Sequence, residues 1–318
     1  MADLGDPKNW LPGEASLNVI RAAIASYNAE RPAIAKAQTR RVALMMGGFV
    51  VVALAAGAAA IASGNAVLAG IGIGFGFFGA PYVWSKAVEP TRQFQQALRQ
   101  RLFPVIFGFI PKLSYQNNKP PRFLQKLKAT GLLSWSSTGH DDWFAGEHDG
   151  LEFELSETEF FTGSGKHKSS LLKALVFHSR REFGFDGLLL AQQKTNAVHR
   201  YFRDLFGKNL RTVKSGLNAV DETHEFRTDK EGPVQAQLSL EMAKVLDWLQ
   251  RDWRHGPVQI VFQAKDCYLL LAAKANHFEL PHIDAGDIDF ERDVLPLIRD
   301  MVVLLAIGHL IAKIGIKQ

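Results

Sequence analysis

A short stretch near the middle of the chain concentrates side chains that could bind a metal ion. It contains His140, Asp141, Asp142, Glu147, His148 and Asp149. Carboxylate oxygens suit hard divalent cations and imidazole nitrogens suit transition metals, so His140, Asp141, Asp142 and His148 are candidate ligands. The spacing matches no closed metal motif, and strand alternation would place neighbouring side chains on opposite faces of a sheet. The competing interpretation is a turn with solvated acidic side chains.

The remaining sequence offers no catalytic motif. HExxH and GxSxG are absent, and the single cysteine, Cys267, excludes a disulfide framework and a CxxC zinc or redox site. GSGK at residues 163–166 lacks the spacing and the following hydroxyl of a phosphate-binding loop. We therefore expect no catalytic residues and no cofactor.

The part of the chain that carries these side chains is preceded by a long run without charged residues. Residues 42–85 contain no Asp, Glu, Lys or Arg. Two spans of about 20 apolar residues fit inside it, at 42–63 and 66–84, with Gly64-Asn65 as a tight turn. This pattern predicts a transmembrane helical hairpin. The polar residues before it do not resemble a signal peptide, so we expect no cleavage.

Charge is distributed unevenly on the two sides of the predicted hairpin. The net charge of +5 divides into +2 for residues 1–41, +8 for residues 86–128 and −5 for residues 129–318. Basic residues on both flanks predict that both ends of the hairpin, and both termini, lie in the cytoplasm. We expect anionic lipid headgroups near Lys86, Arg92, Arg99 and Arg101, although a generic anchoring segment would carry the same charges. The acidic main domain argues against nucleic acid.

Small residues four positions apart mark candidate packing faces in the hairpin, because helices in lipid associate through close backbone contact. The pairs are Gly70 with Gly74, Gly72 with Gly76, and Ala53 with Gly57. The first two pairs lie about 200° apart around the second span. One face could receive the first span and the other a second copy of the chain, which would give a homo-oligomer. Glycines that merely fit a crowded hairpin are the alternative.

Alternation after residue 129 predicts an antiparallel sheet. We expect a β-hairpin around the Asp149-Gly150 turn, strands at 171–177 and 187–192, and a second hairpin that pairs 258–263 with 267–274 across Ala264-Lys265-Asp266. Helices are expected at 196–206, 239–253 and 294–313, the last as a buried helix. The short apolar run at 103–111 either lies in the membrane interface or packs into the globular domain.

The N-terminal region shows one amphipathic stripe, formed by Leu17, Ile20, Ile24 and Tyr27. It predicts a short helix that Pro32 ends or bends. The chain thus divides into an N-terminal helical segment (1–41), a transmembrane hairpin (42–85), a basic juxtamembrane segment (86–128) and a cytoplasmic domain (129–318). The fold class is α+β, with an antiparallel sheet and flanking helices following the hairpin.

Two motifs connect the chain to a known family. They are LFPVIFGFIPKLSY at 102–115 and TGHDDWFAGEHDGLEFELSETEFF at 138–161. These resemble a bacterial membrane family known as domain-of-unknown-function family 3137, and the similarity extends to residue 313. The family's acidic pair, glycine and Ser-Glu positions correspond to Asp141, Asp142, Gly146, Ser156 and Glu157. The resemblance implies a membrane-anchored cytoplasmic domain in a bacterium, and it implies no reaction.

These patterns predict a two-pass protein of the bacterial inner membrane. We expect a non-enzymatic binding or scaffold protein that presents its cytoplasmic domain to a protein or lipid partner. The alternative is a membrane-tethered, metal-dependent hydrolase that uses the region of Asp141 and Asp142.

Overall fold

The computed structural model describes residues 10–64, 66–194, 210–230, 242, 245–246, 248–249, 253 and 258–313; within these ranges the side chains of residues 66–77 and 183 fall outside the description. The chain forms two compact units. One unit comprises Met1–Ser16, Ile106–Glu279 and Leu295–Gln318, and the other comprises Leu17–Val105 and Leu280–Val294.

Two long helices dominate the second unit. Helix α1 runs over Glu14–Ala62 and helix α2 over Ala66–Ile106. The predicted stripe is confirmed, because Ile20, Ile24 and Tyr27 are buried. The prediction that Pro32 could end the first helix is wrong, since α1 continues through it. One proline removes only one backbone donor, and the Ala-rich sequence around it favours helix.

Contacts between α1 and α2 pair residue 38 of the first helix with residue 87 of the second, and residues 27–30 with residues 94–101. The Gln38 side chain donates to the carbonyl oxygen of Ala87 at 2.9 Å, and the Tyr27 ring lies 6.3 Å from that of Phe94. An ion pair between Arg101 and Glu30, with N···O at 3.0 Å, follows nearer the end of α2. The two helices are therefore antiparallel over this stretch.

The segment 280–294 fastens onto α1, which the sequence does not indicate. Asn28 donates to the carbonyl oxygen of Ile288 at 2.8 Å and accepts from its amide at 2.9 Å. Arg31 pairs with Asp287 at 2.9 Å. These bonds tie a polar face of the first third of α1 to a distant part of the chain.

The first unit contains an antiparallel sheet, as predicted. Within the described ranges it has seven strands: β1 (Ser114–Asn117), β2 (Ser137–His148), β3 (Leu151–Thr162), β4 (Ser169–Gln193), β5 (Arg211–Val213), β6 (His224–Thr228) and β7 (Val258–Ala272). Their order is β1-β2-β3-β4-β6-β5, and β7 pairs along the other edge of β4. Helices α3 (Leu124–Ala129), α4 (Asn218–Thr223) and α5 (Leu295–Ala312) accompany the sheet. The α+β class is confirmed.

The first predicted β-hairpin is confirmed and the second is wrong. Asp149 and Gly150 join β2 to β3 with φ of 47° and 81°, the left-handed pair that a tight two-residue hairpin turn requires. Residues 258–272 instead form one strand, which pairs with β4 from Gln259 opposite Gln192 to Ala272 opposite Ala174, with two register shifts between. The polar residues that suggested a turn lie at irregularities of this ladder, where Asp266 accepts hydrogen bonds from Lys126 and His178.

Helix α5 is a buried core helix, as predicted for 294–313. Its inner face includes Met301, Leu304 and Leu305, all fully buried. The run at 103–111 contributes Phe107, whose ring lies against Phe144 and Phe278. The predicted helix at 196–206 lies outside the described residues. Of that at 239–253, the described residues 242, 245–246 and 248–249 are helical and buried.

Among the described residues, two helical segments are long and apolar enough to cross a membrane. They are α1 and the segment Phe290–Ala312, which contains α5. Their environments differ: 6% of the most apolar window of α1 is buried in the protein, against 67% for the C-terminal segment. The burial of the second explains its apolar composition by core packing alone.

Candidate functional site

A bulge in β2 brings two neighbouring carboxylates to one place. The register between β2 and β3 shifts between His140 and Trp143, so the intervening residues do not alternate as in a regular strand. The Asn117 amide donates to Asp141 at 2.8 Å and lies 3.4 Å from an oxygen of Asp142. The objection that neighbouring residues face opposite ways therefore does not apply at Asp141 and Asp142.

Glu157 on β3 supplies a third carboxylate. One oxygen from each of Asp141, Asp142 and Glu157 lies within 4.8 Å of the others. The Glu157 Oε1 accepts from the backbone amides of His277 at 2.7 Å and Phe278 at 2.6 Å. Glu157 is only 4% exposed, and its buried Oε2 has no hydrogen-bond partner in the described part of the chain.

Burial raises the pKa of Glu157, and the nearby charge of Asp141 raises it further. The two backbone amides act in the opposite direction but do not reverse the shift. The carboxylate is thus held in a place that disfavours its charged form.

Polar side chains from three other positions complete the cluster. Tyr115 donates to Asp142 at 2.5 Å, and Asn276 donates to Asp141. Lys173 donates to the Asn276 side-chain oxygen at 2.5 Å. A cavity of about 150 Å³ opens here, lined by Gly139, His140, Asp141, Glu157, Glu159, Lys173 and Asn276. The carboxylates outnumber the one ammonium that lines the cavity.

The structure separates the four predicted ligands. His140 lines the cavity, but its Nε2 lies 3.0 Å from the Thr138 hydroxyl and its Nδ1 lies 3.3 Å from the Thr158 hydroxyl. Because hydroxyl groups engage both ring nitrogens, His140 is not placed as a ligand. Asp141 and Asp142 remain together.

His148 belongs to a different cluster, so its grouping with Asp141 and Asp142 is corrected. Its Nδ1 lies 3.1 Å from His309 Nε2 and 3.9 Å from an oxygen of Asp149, and the Trp10 ring stacks on it at 5.2 Å. Two-residue periodicity along β2 continues after the bulge and carries the chain away from the carboxylates before His148 is reached.

In the sequence, Glu157 is marked only by the family resemblance, which implies no chemical role for it. A signal was present, because Glu157 has the same strand parity as Phe153 and Leu155 and so falls on the apolar face of β3. A charged residue on that face needs a partner. Lys173 and Asn276 carried no comparable signal, since they reach the site from β4 and from the segment after β7.

The predicted membrane-packing residues are partly described. Gly70, Gly72, Gly74 and Gly76 lie in α2 within the stretch whose side chains fall outside the description. Ala53 and Gly57 are half-buried on α1, and a Cβ built on Gly57 meets no described atom within 4 Å. The predicted close contact at Gly57 thus has no partner among the described atoms.

The predicted headgroup residues differ in their partners. Lys86 pairs with Glu89 at 3.0 Å and Arg101 pairs with Glu30 at 3.0 Å. Arg92 is exposed and Arg99 is half-buried. Intramolecular pairs therefore compete with lipid for Lys86 and Arg101, and binding of lipid headgroups stays a prediction.

The chain matches no family model and no curated protein. Among solved structures, the crystal structure of the mycobacterial trehalose monomycolate transport factor A, TtfA, aligns with 61% of this chain and 88% of that chain, at 8% sequence identity and a TM-score of 0.34. A likeness at this TM-score carries no argument about the fold or the function.

Proposed function

We propose that the protein is a membrane-anchored, non-enzymatic binding protein, in which α1 and α2 cross the bilayer and the sheet domain engages a protein or lipid partner. The single observation that supports it best is the surface of these helices. Nine large apolar side chains among the described residues between 44 and 84 are exposed: Leu44, Val50, Val51, Val52, Leu54, Ile61, Phe78, Tyr82 and Trp84. We call this set the apolar belt. Elsewhere in the described chain such exposure occurs only at Val19 and Leu217.

The magnitude of this exposure favours a lipid environment over water. Burying one large apolar side chain contributes about 1.5–3 kcal/mol. The belt residues range from 49% exposed at Val50 to 80% at Ile61, so the nine together forgo on the order of 10 kcal/mol in water. That is comparable to the whole stability of a typical domain.

The geometry of α1 supports a spanning arrangement. The belt residues on α1 extend over positions 44–61, which is about 27 Å of helix and close to the apolar thickness of a bilayer. A less exposed stripe, with Met46, Phe49, Ala53 and Gly57 half-buried and Ala60 buried, occupies the other side of the helix. One face for packing and the rest for lipid is the pattern of a two-helix hairpin, and the antiparallel contacts of α1 with α2 agree with it.

Location and orientation follow from the charges and from the resemblance. The basic flanks favour both termini in the cytoplasm of a bacterium, with residues 64–65 facing outward. Membership of domain-of-unknown-function family 3137 is part of this proposal. A homo-oligomer formed through the glycine face of α2 also remains part of it.

Binding is favoured over catalysis by the size of the carboxylate cavity. Sites for organic ligands occupy about 300–1,000 Å³, and the cavity here is about 150 Å³. A metal-dependent hydrolase using Asp141 and Asp142 is the alternative, supported by the grouping of these residues with Glu157. Such an enzyme would need room for a substrate beside the ion.

Membrane fractionation tests the proposal. The full chain, expressed in bacteria, should stay with the membrane pellet after extraction at alkaline pH and should be released by detergent. Recovery in the soluble fraction as a discrete monomer would contradict anchoring. To separate binding from catalysis, the detergent-purified chain should show no hydrolysis of generic phosphoester or ester substrates with added Mg²⁺ or Mn²⁺; turnover lost in Asp141→Asn would instead favour the hydrolase.

A further inference from the structure

We infer that Asp141, Asp142 and Glu157 form a binding site for one hard divalent cation. We call this the carboxylate site. It concerns the sheet domain alone and does not depend on membrane anchoring. Three features carry it: the grouped carboxylates, the unpartnered and buried Glu157 Oε2, and the small cavity beside them.

The spacing of the oxygens fits one ion. Ca²⁺ binds oxygens at about 2.3–2.6 Å, so two ligands on opposite sides of it lie about 4.6–5.2 Å apart. The three carboxylate oxygens all lie within 4.8 Å of one another. Mg²⁺ and Mn²⁺ bind oxygen more closely and would draw the ligands together slightly. Because the surrounding donors are oxygens, a hard ion is favoured over zinc or copper.

The ligands are already held in place by other side chains. Tyr115 and Asn117 donate to Asp142 and Asp141, and Asn276 donates to the second oxygen of Asp141. Glu157 is fixed through Oε1 by two backbone amides, which leaves Oε2 for another partner. Polar contacts of this kind orient metal ligands and tune affinity.

The charges around the cavity favour a cation over an anion. Asp141, Glu157 and Glu159 line it against Lys173 alone, and the buried Asp142 adds a further carboxylate at 0% exposure. Lys173 donates to the Asn276 side-chain oxygen at 2.5 Å. A divalent ion would compensate the carboxylates, whereas phosphate would increase the repulsion.

The cavity volume favours a bare ion with a few waters over an organic amine. Its 150 Å³ amounts to a few water molecules, each of which occupies about 30 Å³ in the liquid. Waters would complete the coordination that three carboxylates leave open, as is usual for Mg²⁺ and Ca²⁺.

The test uses the full chain in mild detergent after treatment with a chelator. Ca²⁺, Mg²⁺ and Mn²⁺ are each titrated by calorimetry, and the unfolding temperature is measured with and without each ion. We expect at least one ion to bind with one-to-one stoichiometry and to raise the unfolding temperature. Glu157→Gln should lower the affinity for that ion by at least about tenfold.

The matched control is Glu152→Gln, the same substitution on the same strand at an exposed position. It should leave affinity unchanged. The inference is overturned if no divalent ion binds the wild type, or if Glu157→Gln binds as tightly as Glu152→Gln. Should Glu157→Gln fail to fold, Asp141→Asn provides the same comparison, because it also removes one ligand charge.

Discussion

Two glutamates three residues apart on β3 should respond in opposite ways to the same substitution when divalent cations are removed. Glu154 is 8% exposed, lies 3.2 Å from the guanidinium of Arg122 and accepts from the Trp143 indole at 3.0 Å. Glu157 is equally buried but has Asp141 as its charged neighbour. Replacing Glu157 with Gln should therefore stabilise the protein, and replacing Glu154 with Gln should destabilise it.

The magnitude follows from the geometry of the carboxylate site. Two unit charges 4.8 Å apart repel by about 3.5 kcal/mol at an effective dielectric constant of about 20. Proton uptake by Glu157 relieves part of this in the wild type, so we expect Glu157→Gln to gain about 1–3 kcal/mol near pH 8. Its amide oxygen can still accept from the two backbone amides. Glu154→Gln should lose about 1 kcal/mol, because exposure of Arg122 weakens that ion pair.

The pH dependence of the stability predicts the direction of the Glu157→Gln effect independently. The folded-state pKa of Glu157 is raised, so the native state retains its proton more strongly than the unfolded state does. Wild-type stability should be lost as pH rises from about 4.5, the ordinary value, through the raised pKa. The advantage of Glu157→Gln should therefore be small at pH 4.5 and grow toward pH 8.

Tryptophan fluorescence during denaturant unfolding measures both effects, with the full chain in detergent and a chelator present. The reasoning would be refuted if Glu157→Gln lowered the unfolding midpoint at pH 8 as much as Glu154→Gln does. That result would mean that Glu157 has a stabilising partner, and the carboxylate site would lose its main support.

Other parts of the chain give three further predictions. Cys267 is 2% exposed, and burial raises the pKa of its thiol to about 12. A soluble maleimide at pH 7 should therefore label it only after unfolding, and rapid labelling of the native protein would contradict its burial. Gly308→Ala would place a Cβ 2.8 Å from Leu151 and 2.9 Å from Phe177. Overpacking should destabilise the fold by about 1–3 kcal/mol, and the higher helix propensity of alanine should offset about 1 kcal/mol of this. Thermal unfolding measures the net change, and an unchanged midpoint would contradict the contact. Leu54→Arg in the apolar belt should make the free energy of membrane insertion less favourable by about 3 kcal/mol and reduce the membrane-bound fraction. The control Val19→Arg, which is exposed but outside the belt, should leave that fraction unchanged.

Short-range sequence patterns predicted much of the fold. The Asp149-Gly150 turn was predictable because few dipeptides tolerate two left-handed residues in succession. The stripe at Ile20 and Tyr27 was predictable because one helix turn repeats every 3.6 residues. Both features depend on residues close together in the sequence.

Long-range pairing was not predictable in the same way. A polar turn and a polar bulge look alike in sequence, so Ala264-Lys265-Asp266 suggested a hairpin where β7 runs on beside β4. The distinction depends on the partner strand, because Asp266 is accommodated by Lys126 and His178 from elsewhere in the chain.

The candidate site was half predictable. Asp141 and Asp142 were identified by residue type, and the structure unites them with Glu157 through a bulge that alternation alone could not indicate. His148 was grouped with them by proximity in sequence and lies instead beside His309. Asn276 joins from more than a hundred residues away, and no local pattern marks it.

The proposal that the α1–α2 hairpin crosses a membrane and leaves the sheet domain in the cytoplasm is tested most directly by reporter topology. A phosphatase that is active only outside the cytoplasm would be fused after Gln318 in one version and inserted between Gly64 and Asn65 in another. We expect an inactive fusion after Gln318 and an active one in the turn. Activity after Gln318, or inactivity of a stably produced insertion in the turn, would contradict it.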